Sequence, residues 1–370
     1  MSAPLSTITV LDLTTVVAGP LATSLLAQQG ARVIKVEPAS GDTARTLGPQ
    51  RQRLSGSFLM LNAGKKSVVL DLAGPTGLAA LFDLAEQADV LMHNYRPGVM
   101  EKLGVTSDAL RARRPDIIVA RISGFGDSGP MAGDRAYDPV IQAEGGMAGR
   151  NDEGEPRLAL QYLCDKVTGL YAAQAVTAAL AGRAMDRRAR EVDVSMLETA
   201  AAFMAIDIHS GLAFLEPASP MPNVAAIYRP WRTADGWAVV IMLTNAEFAA
   251  FSRALDLPDL LDDARFADMP SRFAHWEALR AAAGPAVEAI ASDALIDALR
   301  REGVPCGRVN DGEALREHPQ LAATGFWREQ DHPVAGRLRL PSPVARFDGE
   351  RLDLSPAPTL GQHTALHRKV

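Results

Sequence analysis

TVLDLTTVVAGPLATSLLAQQGARVIKVE, Thr9 to Glu37, decides the fold. It opens on a short β-branched run, Thr9 to Leu13, and turns through Thr14 to Pro20. A helix-like window follows at Leu21 to Gln29, and a second β-branched run closes the unit at Arg32 to Glu37. Short apolar runs alternating with helical windows are the pattern of a parallel sheet with helices on its faces. The pattern repeats outward. Strands are expected at Ser67 to Leu72, Asp89 to Asn94, Ile117 to Ser123 and Glu191 to Ser195. Helices are expected at Pro75 to Gln87, Asp108 to Arg113 and Val167 to Met185. The expected fold is α/β, a doubly wound Rossmann-like parallel sheet over residues 1–222.

A chain of 370 residues exceeds what one core usually organises. The proline-rich stretch Glu216 to Pro230 reads as a boundary. Beyond it, Tyr228 to Thr233 and Trp237 to Met242 flank Ala234, Asp235 and Gly236 as a hairpin. Helical windows follow at Ala246 to Leu255, Arg272 to Ala283 and Ala294 to Glu302, which gives a smaller α+β domain over 223–321. Residues 322–370 have strand character again and are expected to return to the large domain.

With 47% hydrophobic and 22% charged residues, the composition is that of an ordinary globular protein. A net charge of −6 opposes general attraction to nucleic acid or anionic membrane and points to small-molecule partners. Cys164 and Cys306 form neither a disulfide framework nor a zinc motif, so a reducing cytoplasmic location is expected. The N-terminus has no secretory pattern, and the longest apolar helical stretch, Gly169 to Gly182, is too short to cross a bilayer.

In a doubly wound sheet, ligands bind where loops converge beyond the carboxyl ends of the strands. Here those loops are Thr14 to Pro20, Glu37 to Arg45, Tyr95 to Gly98 and Gly124 to Pro130. For a dinucleotide site the first turn offers Gly19 alone, with Glu37 as the one supporting acid. NAGKKS, Asn62 to Ser67, lacks the first glycine of a phosphate loop. His363 and His367 share a helical spacing but read as a solvated tail, and no metal site is expected. There is no GxSxG elbow, and Cys164 has no histidine nearby in sequence. A lone carboxylate, Asp165, stands in QYLCDKVTGLY at the start of a helix, where by position alone it reads as an N-cap.

Several segments together resemble the class III (CaiB/BaiF-type) CoA-transferase family. They are LDLTTVVAGPLAT, VIKVEPASGDTAR, LNAGKKSVVLDL, ADVLMHNYRPGVMEKLG, ISGFGDSGP, YDPVIQAEGG, the stretch around Asp165, GVPCGRVN, HPQLAATGFW and DHPVAGRLRLPSPVARF. Their order covers nearly the whole chain. The resemblance implies that Asp165 is the nucleophile of an acyl-CoA:carboxylate CoA-transferase. It would attack a donor thioester and pass through an aspartyl anhydride and an aspartyl-CoA thioester. The expected setting is an ionised carboxylate kept from water beside free helix amides.

Gln142, Gly145 and Gly146 are expected beside the nucleophile, with Asp138 and Gln142 orienting groups around it. CoA or acyl-CoA, as substrate and not as a tightly bound cofactor, would meet Val17, Ala18, Arg45, Leu70, Asp71, Leu72, Ala73, Asn94, Tyr95, Arg96, Lys102, Arg135, Ala136 and Tyr137. Lys102 and Arg135 are the foremost phosphate partners, and Arg45 is a third. Pro38 and Ala73 stand where the best-known members carry basic residues, and VVIMLTNAEF, Val239 to Phe248, replaces a glycine-rich loop. Met196, Ile206, His209 and Tyr228 are candidate acyl-pocket residues. The resemblance also implies an interlocked homodimer.

Three other functions are open to the same residues. One is an α-methylacyl-CoA racemase, whose histidine would fall at Tyr137, a poor base at neutral pH. The second is an acyl-CoA binding protein without catalysis. The third is an NAD dehydrogenase.

Overall fold

The protein, described by a computed structural model over residues 3–150, 154–206, 213–216 and 229–367, forms two compact units. One is Met1–Ile206 with Gln320–Val370, and the other is Asp207–Pro319. The first unit is built on six strands: β1 (Thr9–Asp12), β2 (Arg32–Glu37), β3 (Lys66–Val69), β4 (Val90–His93), β5 (Ile118–Ser123) and β6 (Arg190–Ser195). They lie in the order β6-β5-β4-β1-β2-β3, every neighbour parallel. This is the doubly wound order, and its switch point falls between β1 and β4.

Period-two alternation sends each strand into two cores. Val10, Val33, Val90, Met92, Ile118 and Ala120 face one side, with α1 (Ala18–Gln28) and α6 (Leu163–Asp186) packed over them. Leu11, Leu13, Ile34, Val36, Leu91 and Val119 face the other, under Leu81 and Ala85 of a helix at Pro75–Glu86 and Leu110 of one at Ser107–Arg113. In chain order those helices are α3 and α4, after α2 (Gly56–Asn62); α5 is Asp138–Glu144 and α7 is Met196–Ala205.

Gly169 explains how closely α1 and α6 approach. A Cβ there would lie 2.8 Å from the Ala18 carbonyl oxygen and 3.1 Å from the Leu21 side chain. Only glycine admits the N-terminus of α1 at this point. Asp165 is four residues earlier on α6, so it shares that face.

The C-terminal segment returns to the first unit. An antiparallel hairpin, β10 (Trp327–His332) with β11 (Gly336–Pro341), contributes Leu340 and Ala335 to a core with Phe58 and Leu54. His363 is not solvated as expected. Its Nδ1 accepts from the Ser67 amide at 3.2 Å, its own amide donates to Ser67 O, and Thr364 Oγ1 accepts from Val69 N. The tail therefore covers the open edge of β3.

The second unit has a three-stranded antiparallel sheet: β7 (Trp231–Arg232), β8 (Trp237–Val240) and β9 (Cys306–Arg308). Its core gathers Trp231, Val240, Phe251, Leu279 and Leu299 under α8 (Asn245–Ala254), α9 (Trp276–Glu288) and α10 (Ser292–Arg301). The TNAEF segment starts α8 with a capping box between Thr244 and Glu247. Strand β9 lies inside GVPCGRVN, which carried no strand expectation because three residues show no periodicity. Among the described residues, no helix is long and apolar enough to cross a membrane.

Candidate active site

At the switch point the loops after β1 and β4 are tied to each other. Asn94 Oδ1 accepts from Thr15 N and its Nδ2 donates to Thr15 O, both at 2.9 Å. Val16 follows with φ 69°, a left-handed conformation that a β-branched residue rarely adopts, and its amide donates to Asp42 Oδ1. These loops wall a cavity of about 550 Å³ lined by Val16, Val17, Ala18, Thr43, Asn94, Tyr95, Arg96, Ser123, Gly124, Arg135, Ala136, Tyr137, Met196 and Asp165, among others. Ten of the sequence-derived site residues converge here: Val17, Ala18, Asn94, Tyr95, Arg96, Arg135, Ala136, Tyr137, Asp165 and Met196.

Asp165 is the third residue of α6, in its first turn. The N-cap position belongs to Tyr162, and no side chain caps the helix. Capping therefore does not account for the aspartate. Its own amide donates to Asp138 Oδ2 at 2.9 Å. Burial, then the facing Asp138 carboxylate, push the Asp165 carboxyl up to about 7, against a hydrogen bond from the Ala18 amide that lowers it. Helix termini alone had suggested a fully ionised group at neutral pH. Desolvation and a like charge outweigh them, so ionised and protonated forms coexist near neutrality.

Asp138 and Gln142 form the support under this group. Both are buried on α5, and the Gln142 amide donates to Asp138 Oδ1. Gln142 Nε2 also reaches Gln161 O at 3.1 Å, while its Oε1 accepts from Ala159 N at 2.8 Å. The segment entering α6 is thus held through side-chain amide contacts, and Gln142 is spent on backbone outside the cavity. Asp138→Asn is expected to shift the acidic limb of the kcat profile to lower pH, because removing the like charge lets Asp165 ionise earlier. About tenfold in kcat should be lost with it, since an Asn amide set against Gln142 Nε2 disturbs that segment. A pH–rate series on both proteins measures it.

Other sequence-derived residues lie elsewhere. Arg45 is no free phosphate partner: it is buried, donates to both Glu37 oxygens at 2.8 and 2.7 Å and to Pro358 O, and lies over the Phe58 ring. Glu37, the one acid favouring a dinucleotide, is consumed by the same pair and by Ser67. Leu70, Asp71, Leu72 and Ala73 follow β3 two strands from the switch point, and they do not line the cavity. Lys102 is exposed on the turn Val99–Lys102, whose Val99 does line it. Gly145 ends α5 where a Cβ would lie 2.7 Å from that of Ala200, and Gly146 is left-handed at φ 71°. The glycine pair serves a helix stop and close packing on α7. Of the acyl-pocket candidates, Met196 lines the cavity, Ile206 is exposed, and His209 and Tyr228 lie outside the described residues.

Cys164 is no thiolate: burial, with the Asp138 and Asp165 carboxylates, pushes its thiol up to about 12. His93 lines an adjoining cavity of about 350 Å³ that shares Tyr95, Arg96 and Ser123 with the first. Burial, then Arg121, push it down to about 4. It is a neutral imidazole.

The family model for CoA-transferase family III matches residues 5–364. The chain belongs to this family. The transferase is 30% identical to the succinyl-CoA:glutarate CoA-transferase of Homo sapiens, over 98% of its own length and 84% of that protein. It is 31% identical to the acetyl-CoA:oxalate CoA-transferase of Acetobacter aceti, over 99% and 95%. A crystal structure of a CAIB/BAIF family protein from Brucella suis superposes with a TM-score of 0.86 at 30% identity, covering 100% of the transferase and 99% of that chain. One of Rv3272 from Mycobacterium tuberculosis gives 0.87 at 32%, covering 99% of each. The parallel six-stranded sheet of the transferase is the family's, and CoA is the family's substrate.

Proposed function

We propose that this enzyme moves CoA from an acyl-CoA donor to a carboxylic acid through covalent intermediates on Asp165. The observation that carries the reading is a partly buried carboxylate, Asp165, on the wall of a cavity at the switch point, with the Ala18 amide beside it. The ionised oxygen attacks the thioester carbonyl and expels CoA thiolate, leaving an aspartyl-acyl anhydride. Thiolate then attacks the aspartyl carbonyl, the donor acid departs as carboxylate, and Asp165 carries CoA as a thioester. An acceptor carboxylate displaces that thiolate to form a new anhydride. Attack of the thiolate on its acyl carbonyl releases the new acyl-CoA and restores Asp165. No water enters, and no net proton is consumed.

Each tetrahedral centre bears an oxyanion, for which the Ala18 amide at the α1 terminus, already beside Asp165, is the placed donor. Arg96 and Arg135 on the cavity wall are suited to the phosphates of CoA. Exposed Leu170, Tyr171 and Phe203 on α6 and α7 support a homodimer, which light scattering at low concentration tests. Among the described residues no histidine lines this cavity, and Tyr137 holds the position a racemase would give to one. That disfavours proton transfer at the α carbon.

The test is incubation with acyl-CoA donors, hydroxylamine trapping and peptide mass spectrometry. A panel of short mono- and dicarboxylic acids serves as acceptors, a range suggested by the glutarate and oxalate in the relatives' names. A hydroxamate at Asp165 is expected. Full turnover without any adduct there would overturn the reading.

A further inference from the structure

Beneath the cavity lies a set of buried charges that the reaction itself does not use. Lys35 stands in the middle of β2, wholly buried, and its ammonium pairs with Asp42 at 2.9 Å while donating to Thr14 O at 2.8 Å. Asp42 accepts from the Val16 amide at 3.1 Å and from Ala44 N at 2.9 Å, and its own amide is fixed by Glu37. These contacts grip the residues on either side of Thr15, and Asn94 grips Thr15 itself. Val16 is the strained residue of this loop, and Ala18, whose amide meets Asp165, is two residues further on.

A β-branched side chain leaves the left-handed region unless its surroundings over-determine it. Here Lys35 holds Thr14 O and Asp42 holds the Val16 amide itself, while Asn94 fixes Thr15 between them. We propose that the Lys35–Asp42 ion pair is a positioning device for the transfer reaction, holding Val16 left-handed so that the Ala18 amide is presented to Asp165. It acts through the loop and touches no substrate. The role rests on the reading of Asp165 as nucleophile.

The groups facing Asp165 are Asp138 from α5 and the Ala18 amide from α1, with Cys164 beside it on α6. Losing the Ala18 hydrogen bond raises the Asp165 pKa. Losing a nearby negative charge would lower it. Asp42→Asn therefore separates loop release from simple charge removal by the sign of the change. The variant is expected to lower kcat about thirtyfold, to change KM for acyl-CoA less than threefold, and to move the acidic limb of kcat upward by about half a pH unit. An unmoved or downward-shifted limb, or losses only in proportion to the unfolded fraction in a thermal melt, would overturn the proposal.

If Asp42→Asn does not fold, Val16→Gly carries the same test, because glycine relieves the strain and frees the loop at once. A melting temperature equal to or above the parent's, with kcat at least tenfold lower, supports the device. Unchanged kcat refutes it. An Asp165→Ala control that retains full turnover would instead remove the nucleophile on which the role depends, and the two failures are thereby told apart.

Discussion

Asp165→Asn is expected to lose transfer activity by a factor on the order of 10⁴ or more and to melt at a higher temperature than the parent at pH 8. Asparagine keeps the shape of the side chain, leaves the Asp165 amide free to donate to Asp138, and cannot attack a thioester. The stability gain follows from linkage. The carboxyl has a pKa of about 7 in the fold against an ordinary 3.8. The folded state thus holds a proton that the unfolded chain has already released. The associated stability is full below about pH 4 and is lost as pH rises through 7. At pH 8 the ionised group therefore costs up to roughly 4 kcal/mol, which the amide does not incur. The difference in melting temperature should shrink between pH 8 and pH 5. Equal melting at both values would mean that the carboxylate is not strained by burial, and residual activity above one per cent would mean that it is not the nucleophile.

Lys65→Met is expected to destabilise the first unit by about 3–5 kcal/mol. Lys65 and Asp12 are paired at 2.9 Å with both side chains wholly buried. The ammonium also donates to Pro20 O and Thr23 Oγ1, so all three of its protons are placed. Burial alone would raise the Asp12 carboxyl, but Lys65 and Lys35 hold it at about 2. Desolvation, against the attraction of Asp12, pushes Lys65 down to about 8, so both groups are charged at neutral pH. Methionine matches the volume and leaves Asp12 facing one cation at greater distance. A melting temperature about 10 °C lower is the measurable consequence for a unit of this size. The paired change, Lys65→Met with Asp12→Leu, should recover part of the loss, because an apolar pair carries no unmatched charge.

Much of the fold was legible because its information is local. In RVIKVE and DVLMH the runs are apolar on both faces, which a parallel sheet between two helical layers demands, and all six strands were found within a few residues of their ends. Strand β9 escaped because three residues have no period. The site was legible wherever it coincided with the carboxyl ends of strands. Arg45 was misplaced because an arginine in a loop does not reveal a partner at Glu37 that folding brings from the preceding strand. The buried cations had a signal that was not taken up: Lys35 lies between Ile34 and Val36 in the middle of a two-face-buried strand, where no charge persists unpaired. Asp138 was expected around the nucleophile, but nothing local announced that the two carboxylates would face each other and raise the Asp165 pKa, since that pairing exists only once α5 and α6 meet.

The unit bearing Asp165 is discontinuous in sequence, with Gln320–Val370 joining it after Asp207–Pro319. On the ribosome, the final cover for the β3 edge emerges only after more than a hundred intervening residues. At about 5–20 residues per second, that leaves a nascent chain with an unsealed sheet for some seconds. Codon choice or chaperone supply across the intervening segment would then influence the yield of active protein, although the contacts that seal the β3 edge come from His363 and Thr364.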